Sequence, residues 1–157
     1  MNVVKIFQAR TPAQIDEALL LFREYETSLD LDLCFQGFEE ELKNLPGKYA
    51  EPDGRLYLAT IDDEAAGCIA LRDLGGSICE MKRLYLRENA RGKGLGNSLI
   101  EKLIAEARVI CYRKMRLDTS PPKMVKAVKL YESHGFHQIP PYYDNPHDGV
   151  LFMELSL

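Results

Sequence analysis

Basic residues and glycines alternate in one short segment of the sequence, Arg91-Gly92-Lys93-Gly94-Leu95-Gly96. Glycine tolerates positive φ angles and lets a bound group come close to the backbone. The segment lies between a predicted strand and a predicted helix, and the first N–H groups of a helix have no partner inside it. Together with the helix dipole and the two basic side chains, these N–H groups predict a binding site for phosphate oxygens.

Two familiar phosphate-binding motifs do not fit this segment. A Walker loop needs GxxxxGK followed by Ser or Thr, whereas Gly96 is followed by Asn97 and Ser98. A Rossmann turn needs GxGxxG, whereas these glycines stand at every second position. Asp118 follows Gly96 by 22 residues at a predicted strand end, where a ribose-binding acid could stand. A dinucleotide site and a purely structural turn therefore remain alternatives.

The charge of the chain is unevenly distributed. Residues 82–129 contain 13 Lys/Arg and 4 Asp/Glu, a net charge of +9, whereas the remainder carries a net charge of −13. A basic segment in an acidic protein indicates a site for an anion, such as a phosphorylated cofactor or a nucleic acid, although solvated helix faces explain the same charges. The overall charge of −4, the absence of Trp and the lack of a recognisable nucleic-acid motif argue against nucleic acid as a partner.

Length and composition predict a single domain over residues 1–157 with a substantial core, since 46% of the residues are hydrophobic. No apolar run is long enough to span a bilayer, and the first residues lack the apolar stretch of a secretory signal. Cys34, Cys68, Cys79 and Cys111 have no metal-binding spacing and stand among apolar neighbours, so we expect reduced, buried thiols and no metal. These features predict a cytoplasmic protein.

Hydrophobic periodicity predicts the element order β-α-α-β-β-β-α-β-α-β-β. The predicted strands are Asn2–Arg10, Arg55–Ile61, Ala65–Arg72, Ile78–Leu86, Lys114–Asp118, Phe136–Ile139 and Val150–Leu155. The first predicted helix begins at Thr11-Pro12, and the others are Ser28–Lys48, Asn97–Tyr112 and Lys123–His134, the last closed by Gly135. This order is typical of an α/β domain whose mixed, mostly antiparallel sheet is flanked by helices, with one right-handed β-α-β crossover near its centre.

The sequence resembles the GNAT N-acetyltransferase superfamily in two motifs and in its element order. The glycine-rich segment matches the family's cofactor motif, Gln/Arg-x-x-Gly-x-Gly/Ala, between a strand and an amphipathic helix. Further on, Ala127-x-x-Leu130-Tyr131-x-x-x-Gly135-Phe136 is similar to the family's late helix and its Gly-Phe ending. The sequence departs from the family at Met124, where many members have Asn, so that cofactor contact is either missing or replaced by Thr119 or Ser120. The resemblance implies a single-domain GNAT-like fold across nearly the whole chain.

The resemblance also implies that acetyl-CoA is the acyl donor and that a primary amine is the acceptor. Backbone groups of Leu84, Tyr85 and Leu86 would pair with the pantetheine arm in the manner of an added strand. Lys123 and Lys126 could reach the 3′-phosphate, although a solvated helix face explains them equally well. Family members often dimerise, so a homodimer is compatible with the resemblance. The pyrophosphate would be held by amides of the turn, from Arg91, Gly92, Lys93, Gly94, Leu95, Gly96 and Asn97.

The implied reaction needs a proton acceptor for the amine, a hydrogen-bond donor for the oxyanion and a proton for the departing thiolate. Glu80, near the position at which some family members carry a catalytic Glu, is the candidate base, acting directly or through water; an ordinary ion pair on a strand is its alternative role. The resemblance implies that Tyr131 is the candidate acid, since a Tyr at this position of the family points at the CoA sulfur, and a phenol with a pKa of about 10 is protonated at neutral pH. A core aromatic is the alternative for Tyr131. A backbone N–H of Tyr85 or Leu86 would serve the oxyanion.

The acceptor is predicted from charge. Nine Asp/Glu and one basic residue, Arg23, fall between Asp16 and Glu41. In GNAT proteins this region usually borders the acceptor cleft, so an acidic lip would favour a small cationic amine, while a solvated helix face explains the same charges. The loop Pro141–Pro146 could close the other side of the cleft with its tyrosines. A non-catalytic acyl-CoA-binding sensor module of the same fold is the alternative function.

Overall fold

The computed structural model describes residues 2–29 and 37–157, except for the side chains of residues 121–124. Its strands are β1 (Val4–Gln8), β2 (Arg55–Ile61), β3 (Glu64–Gly75), β4 (Ile78–Leu86), β5 (Lys114–Thr119), β6 (His137–Ile139) and β7 (Leu151–Ser156). Its helices are α1 (Pro12–Leu29), α2 (Phe38–Lys43), α3 (Leu95–Ile110) and α4 (Pro121–Ser133), with short 3-10 turns at Gly47–Tyr49 and Glu88–Ala90. The elements follow the predicted order, and β2 and β4 have the predicted bounds.

The seven strands form one sheet in the order β1-β2-β3-β4-β5-β7-β6. β4 and β5 are parallel and are joined by α3. Every other pair of neighbouring strands is antiparallel. The prediction of a mixed, mostly antiparallel sheet flanked by helices is therefore confirmed.

A gap opens between the two parallel strands. β4 pairs with β5 only as far as Glu80, and beyond that residue it continues to Leu86 with β3 as its partner. A bulge interrupts the pairing with β3, so that two residues of β4, Arg83 and Leu84, lie opposite one residue of β3. Arg83 has a φ of 60°, a value that L-residues rarely adopt. Because a bulge bends its strand, the end of β4 leaves β5 and presents a free edge.

Helices cover both faces of the sheet. Along β2, Tyr57 and Ala59 belong to the core cluster under α3, whereas Leu56 and Leu58 belong to the cluster under α1 and α2. This alternation is the period of two that a strand imposes on its side chains. Each fully buried Leu or Phe in these clusters contributes roughly 1.5–3 kcal/mol to stability. Across residues 2–29 and 37–157, no helix combines the length and the apolar character needed to cross a membrane.

Local hydrogen bonds explain where two of the helices begin and end. The Gln14 N–H donates to Thr11 Oγ1 at 3.2 Å, and the Thr11 N–H donates to Gln14 Oε1 at 3.1 Å. These reciprocal bonds form a capping box at the start of α1. At the other end of the chain, Gly135 follows the C-cap of α4 with a φ of 98°. Both boundaries lie where the sequence predicts them.

The predicted helix over Ser28–Lys48 is wrong in its length. α1 continues through Leu29 and so includes Ser28, while α2 covers only six residues. Gly37, with a φ of 71°, caps the start of α2 in a left-handed conformation. The chain then reaches Pro46, which has no N–H to donate to a helix. Residues 30–36 lie outside the described residues.

Candidate functional site

A cavity of about 660 Å³ opens where the end of β4 leaves β5. Cavities of roughly 300–1,000 Å³ hold small ligands and cofactors. The end of α1, the end of β4, the glycine-rich turn and α4 bound this cavity. Its lining residues are Tyr25, Ser28, Leu29, Leu84, Tyr85, Leu86, Arg91, Gly92, Gly94, Leu95, Gly96, Asn97, Val125, Lys126, Ala127 and Leu130.

The glycine-rich turn brings the start of α3 to the cavity. Gly92 and Gly94 have φ angles of 75° and 79°, and Gly94 is the N-cap of α3. A Cβ on Gly96 would lie 3.2 Å from Leu130 Cδ2 and 3.6 Å from Leu86 Cδ1. The missing side chain thus lets α3 approach α4 and β4 closely. The first N–H groups of α3 consequently lie beside the cavity, where the positive end of the helix dipole favours anions.

The end of β4 forms the facing wall. Leu84, Tyr85 and Leu86 line the cavity, and this part of β4 pairs with β3 on one side only. Since the pairing with β5 stops at Glu80, no described strand occupies the other edge. Backbone N–H and C=O groups at a free edge can pair with an added extended chain. The cavity therefore combines an edge for an extended, amide-bearing ligand with a cradle for phosphate.

Ten of the eleven residues predicted to bind the cofactor line this cavity, namely Leu84, Tyr85, Leu86, Arg91, Gly92, Gly94, Leu95, Gly96, Asn97 and Lys126. Lys93, the eleventh, is exposed in the turn and is not a lining residue. The cavity is also lined by Tyr25, Ser28 and Leu29, which could not be predicted because no pattern in the sequence of α1 indicates that its end passes the glycine-rich turn. Ala127 and Leu130 belong to the late-helix motif, whose match could have identified them.

An ion pair with Arg87, the residue that follows β4, fixes the end of α1 at the cavity. Arg87 donates from Nη2 and Nε to the two oxygens of Glu24, at 2.7 and 3.0 Å. These bonds hold the pKa of the Glu24 carboxyl below its usual range. The neighbouring Tyr25 packs edge-on against Tyr85, with 6.4 Å between ring centroids. Burial raises the pKa of Tyr25 to about 12, so this cavity-lining phenol is protonated at neutral pH.

Tyr131 lies on α4 beside the cavity, outside its lining. Its side chain is buried in the core under α3, and its ring lies 5.9 Å from that of Phe136. Burial raises the pKa of Tyr131 far above its usual value, and the charges of Tyr25 and Asp118 raise it further. The phenol therefore keeps its proton at neutral pH, as the proposed acid must.

Glu80 is fully buried on the opposite face of the sheet, beneath the layer of α1 and α2. Its Oε1 accepts a hydrogen bond from Arg72 Nε at 2.7 Å and lies 3.7 Å from Lys82 Nζ. Its Oε2 accepts a hydrogen bond from the Tyr142 hydroxyl at 2.6 Å. Burial opposes ionisation of Glu80, but Lys82, Arg72 and Tyr142 outweigh it and hold its pKa below the usual range. The structure does not bring Glu80 and Tyr131 together.

Glu80 belongs to a row of charged residues that crosses the sheet. Arg72 of β3 lies opposite Glu80 of β4, which lies beside Arg116 of β5, and Arg116 lies opposite Glu154 of β7. Arg116 Nε donates to Glu154 Oε2 at 2.8 Å. Opposite charges at neighbouring cross-strand positions attract, so the row joins four strands.

The loop Pro141–Pro146 lies over this row. The Tyr142 ring centroid is 5.2 Å from Arg116 Cζ. The Tyr143 hydroxyl donates to Asp118 Oδ2. Two tyrosine–carboxylate hydrogen bonds, those of Tyr142 and Tyr143, thus hold the loop on β4 and β5. Because Asp118 is already engaged by Tyr143, it is poorly placed to act as a ribose-binding acid.

Several residues of the predicted acidic lip are used in ion pairs within the protein. Glu24 pairs with Arg87, as described above, and Glu39 accepts two hydrogen bonds from Arg23, at 2.6 and 3.0 Å. Glu41 accepts two hydrogen bonds from Arg83, both at 2.9 Å, and these two side chains are almost completely buried. Asp30 and Asp32 lie outside the described residues. The acidic stretch is therefore in part a set of internal contacts.

The chain matches the Acetyltransferase (GNAT) family over residues 16–136. It is 37% identical over 156 residues to an uncharacterized N-acetyltransferase of Schizosaccharomyces pombe, covering 98% of this chain and 95% of that protein. A GNAT-family acetyltransferase of Staphylococcus aureus superposes with a TM-score of 0.80 at 19% identity, covering 98% of this chain and 99% of the other. An N-acetyltransferase of Thermoplasma acidophilum, solved in complex with coenzyme A, gives 0.75 at 16% identity, with 99% of both chains covered.

Proposed function

We propose that this chain, which belongs to the Acetyltransferase (GNAT) family, transfers the acetyl group of acetyl-CoA to the primary amine of a small molecule. The observation that carries the proposal is that a free strand edge and a glycine-rich helix start face one cavity of about 660 Å³. CoA can use both features. Its pantetheine arm is extended and bears amides that can pair with the free edge of β4, and its pyrophosphate suits the N-terminus of α3.

The cofactor contacts follow from this arrangement. Backbone groups of Leu84, Tyr85 and Leu86 hold the pantetheine arm along the edge of β4. The amides of Arg91–Asn97 hold the pyrophosphate, including that of Lys93, whose side chain stays in solvent. Lys126, exposed on α4 at the rim of the cavity, is placed to meet the remaining phosphate.

The proposed reaction is a direct attack of the amine on the thioester carbon. The C–N bond forms as the carbonyl electrons move to oxygen, and a backbone N–H of Tyr85 or Leu86 stabilises that oxyanion. The C–S bond then breaks, and Tyr131 gives its proton to the departing thiolate. Glu80 is the proposed acceptor of the amine proton. Because its carboxylate is fully buried and both oxygens have partners, the amine does not contact it directly, and the proton has to reach it through ordered water.

Calorimetric titration with acetyl-CoA, with NAD and ATP as controls, tests the cofactor. We expect a Kd on the order of micromolar for acetyl-CoA and no comparable binding of the other two. Equal binding of NAD or ATP, or no binding of acetyl-CoA, would contradict the proposal. The glycine-rich turn would then be interpreted as a dinucleotide site or as a purely structural turn.

A sensor module would bind acetyl-CoA in the same way, so a second measurement separates it from an enzyme. Release of the CoA thiol is followed with a thiol reagent while a panel of primary amines is added. Release that depends on the amine identifies an acetyltransferase. Tight binding of acetyl-CoA without release for any amine of the panel would instead identify the non-catalytic module.

A further inference from the structure

A cluster of charged side chains lies on the face of the sheet under α1 and α2, next to the bulge of β4. We call it the charged cluster; its members are Lys48, Arg72, Lys82, Arg83, Glu41 and Glu80. Four ion pairs join these residues into two groups of three. Glu80 lies 2.7 Å from Arg72 and 3.7 Å from Lys82, and Glu41 lies 2.9 Å from Arg83 and 3.5 Å from Lys48, as N···O distances. Each carboxylate is thus shared by two cations.

The acids and the bases of the charged cluster differ in exposure. The side chains of Glu80 and Glu41 are 0% and 3% exposed, whereas those of Arg72 and Lys48 are 29% and 39% exposed. Both carboxylates are therefore shielded from solvent, and the part of the cluster that solvent reaches is positive. Over the described ranges, an anion that approaches the cluster meets Arg72 and Lys48 first.

Glu80 orients Arg72 without using its terminal nitrogens. The bond at 2.7 Å is made by Nε. Within residues 2–29 and 37–157, no hydrogen bond occupies Nη1 or Nη2 of this guanidinium. One edge of the group is thereby anchored to β4, while the terminal pair of nitrogens remains available for a ligand. This arrangement suits a carboxylate, because a guanidinium can form two parallel hydrogen bonds with it.

Arg83 connects the charged cluster with the cavity. Its guanidinium binds Glu41 of the cluster and also lies 5.9 Å from the ring of Tyr25, which lines the cavity. The next residue, Leu84, lines the cavity as well. The cluster and the cavity therefore lie on either side of one bulge, where β4 leaves β5. Arg72 lies opposite Glu80, three residues before Arg83 on β4. A molecule bound to Arg72 would extend its amine along β4 toward that bulge.

We propose that the acceptor amine also carries a carboxylate, which Arg72 binds through its terminal nitrogens while Lys48 adds positive charge. The inference rests on the proposed function and names the acceptor class for it. The pKa of Lys48 is lowered, first by burial and then by repulsion from Arg72 and Arg83. The attraction of Glu41 opposes this shift without cancelling it. A bound carboxylate would relieve this repulsion. Such an acceptor replaces the small cationic amine suggested by the acidic stretch, whose Glu24, Glu39 and Glu41 are paired internally.

The test compares amines that differ only in the carboxylate. Free amino acids are assayed for acetyl-CoA-dependent thiol release, each beside its amide and its decarboxylated amine, with phosphoethanolamine as a separate arm for a phosphate-bearing amine. We expect the amino acids to have kcat/KM values at least about tenfold above those of their amides, since a site built for a polar group rejects an analogue that lacks it.

Variants assign the preference to the charged cluster. Arg72→Gln should raise KM for the amino acids about tenfold or more, change KM for the amides little and leave the Kd of acetyl-CoA unchanged. Because this variant removes one partner of buried Glu80, Lys48→Gln serves as a milder second variant with a smaller rise in the same KM. Arg113→Gln, at an exposed position just before β5, is the control and should change neither KM.

Three results would overturn the inference. The first is equal kcat/KM values for the amino acids and their amides. The second is an equal rise in KM for both kinds of amine in Arg72→Gln. The third is a preference for phosphoethanolamine that Arg72→Gln and Lys48→Gln abolish. In each case transfer to amines continues, so the proposed function survives. Binding of acetyl-CoA without transfer to any amine would overturn the proposed function together with the acceptor class.

Discussion

Among single residues, Tyr131 offers the most direct test of the chemistry. Its phenol is buried beside the cavity and is protonated at neutral pH, because burial and the nearby Tyr25 and Asp118 raise its pKa. Tyr131→Phe removes the hydroxyl and keeps the ring. We expect kcat to fall by roughly 100-fold, as for the loss of a general acid, with the Kd of acetyl-CoA unchanged. Steady-state kinetics and calorimetry measure the two quantities.

Tyr112→Phe is the matched control for this substitution. The Tyr112 hydroxyl donates to the Asp53 carbonyl at 2.7 Å and does not line the cavity. Loss of that hydrogen bond should cost about 1 kcal/mol of unfolding free energy and leave kcat unchanged. If Tyr131→Phe had the kcat of the wild type, Tyr131 would not be the acid, and its role would be that of a core aromatic residue.

The residue types of the site could be predicted from sequence, but their partners could not. Glu80 is recognisable as a carboxylate on the strand that precedes the glycine-rich turn. Its hydrogen-bond partners, Arg72 and Tyr142, stand 8 and 62 residues away, and strand pairing and a returning loop bring them together. A candidate base on sequence grounds is therefore, in the fold, a buried carboxylate with both oxygens engaged.

At the scale of elements, the close approach of α3 to α4 depends on Gly96. A side chain here would contact Leu130 and Leu86, because even a Cβ would lie 3.2 Å from Leu130 Cδ2. We expect Gly96→Val to lower the unfolding free energy by roughly 1–3 kcal/mol through overpacking. It should also weaken acetyl-CoA binding, since α3 must move away from the cavity. Urea denaturation and calorimetric titration measure these effects.

Glu101→Val introduces the same side chain on an exposed position of α3 and is the control. Its effect should be limited to a helix-propensity cost of about 0.5 kcal/mol, with acetyl-CoA affinity retained. If Gly96→Val were as stable as this control and bound acetyl-CoA equally well, the proposed need for close packing at Gly96 would be wrong.

Prediction of the elements was accurate where local pattern decides and inaccurate where distant contacts decide. The bounds of β2 follow from a short apolar run between two turns, and those of β4 from a run that alternates apolar with charged residues before the glycine-rich turn. Nothing in that pattern reveals the bulge at Arg83, where the backbone takes a φ of 60° and the side chain binds Glu41 of α2. The bulge that opens the site is thus held by a contact 42 residues away in sequence.

For the whole molecule, the uneven charge distribution has an internal explanation. The acidic stretch and the basic segment meet in the fold, since Glu24 of α1 pairs with Arg87 and Glu41 of α2 pairs with Arg83. Part of the +9 segment therefore neutralises part of the acidic remainder, and only the rest is available to phosphate. Charge counts along the sequence could predict that anions matter to this protein, but only the fold separates internal pairs from exposed cations such as Lys93.

These internal pairs predict how stability depends on pH. Internal partners hold the pKa values of Glu24, Glu41, Glu80 and Glu154 below the usual range of a glutamate side chain. A carboxyl with a depressed pKa in the folded state contributes stability that is present above its unfolded pKa and is lost as the pH falls through its folded pKa. We therefore expect the unfolding free energy, measured with urea, to be nearly constant from pH 8 to about pH 6 and to decline below about pH 5.

Substitutions of two glutamates of α2, Glu41 and Glu39, distinguish the contribution of a buried ion pair to this decline in stability from that of an exposed one. Glu41→Gln leaves Arg83 without a buried counter-charge and should cost about 3–5 kcal/mol at neutral pH. It should also reduce the loss below about pH 5, because one depressed carboxyl no longer titrates. Glu39→Gln breaks an exposed pair with Arg23, which water and salt screen, so it should change stability far less than Glu41→Gln does. Equal effects of the two substitutions would show that the buried Glu41–Arg83 pair is not the contact that makes stability depend on pH.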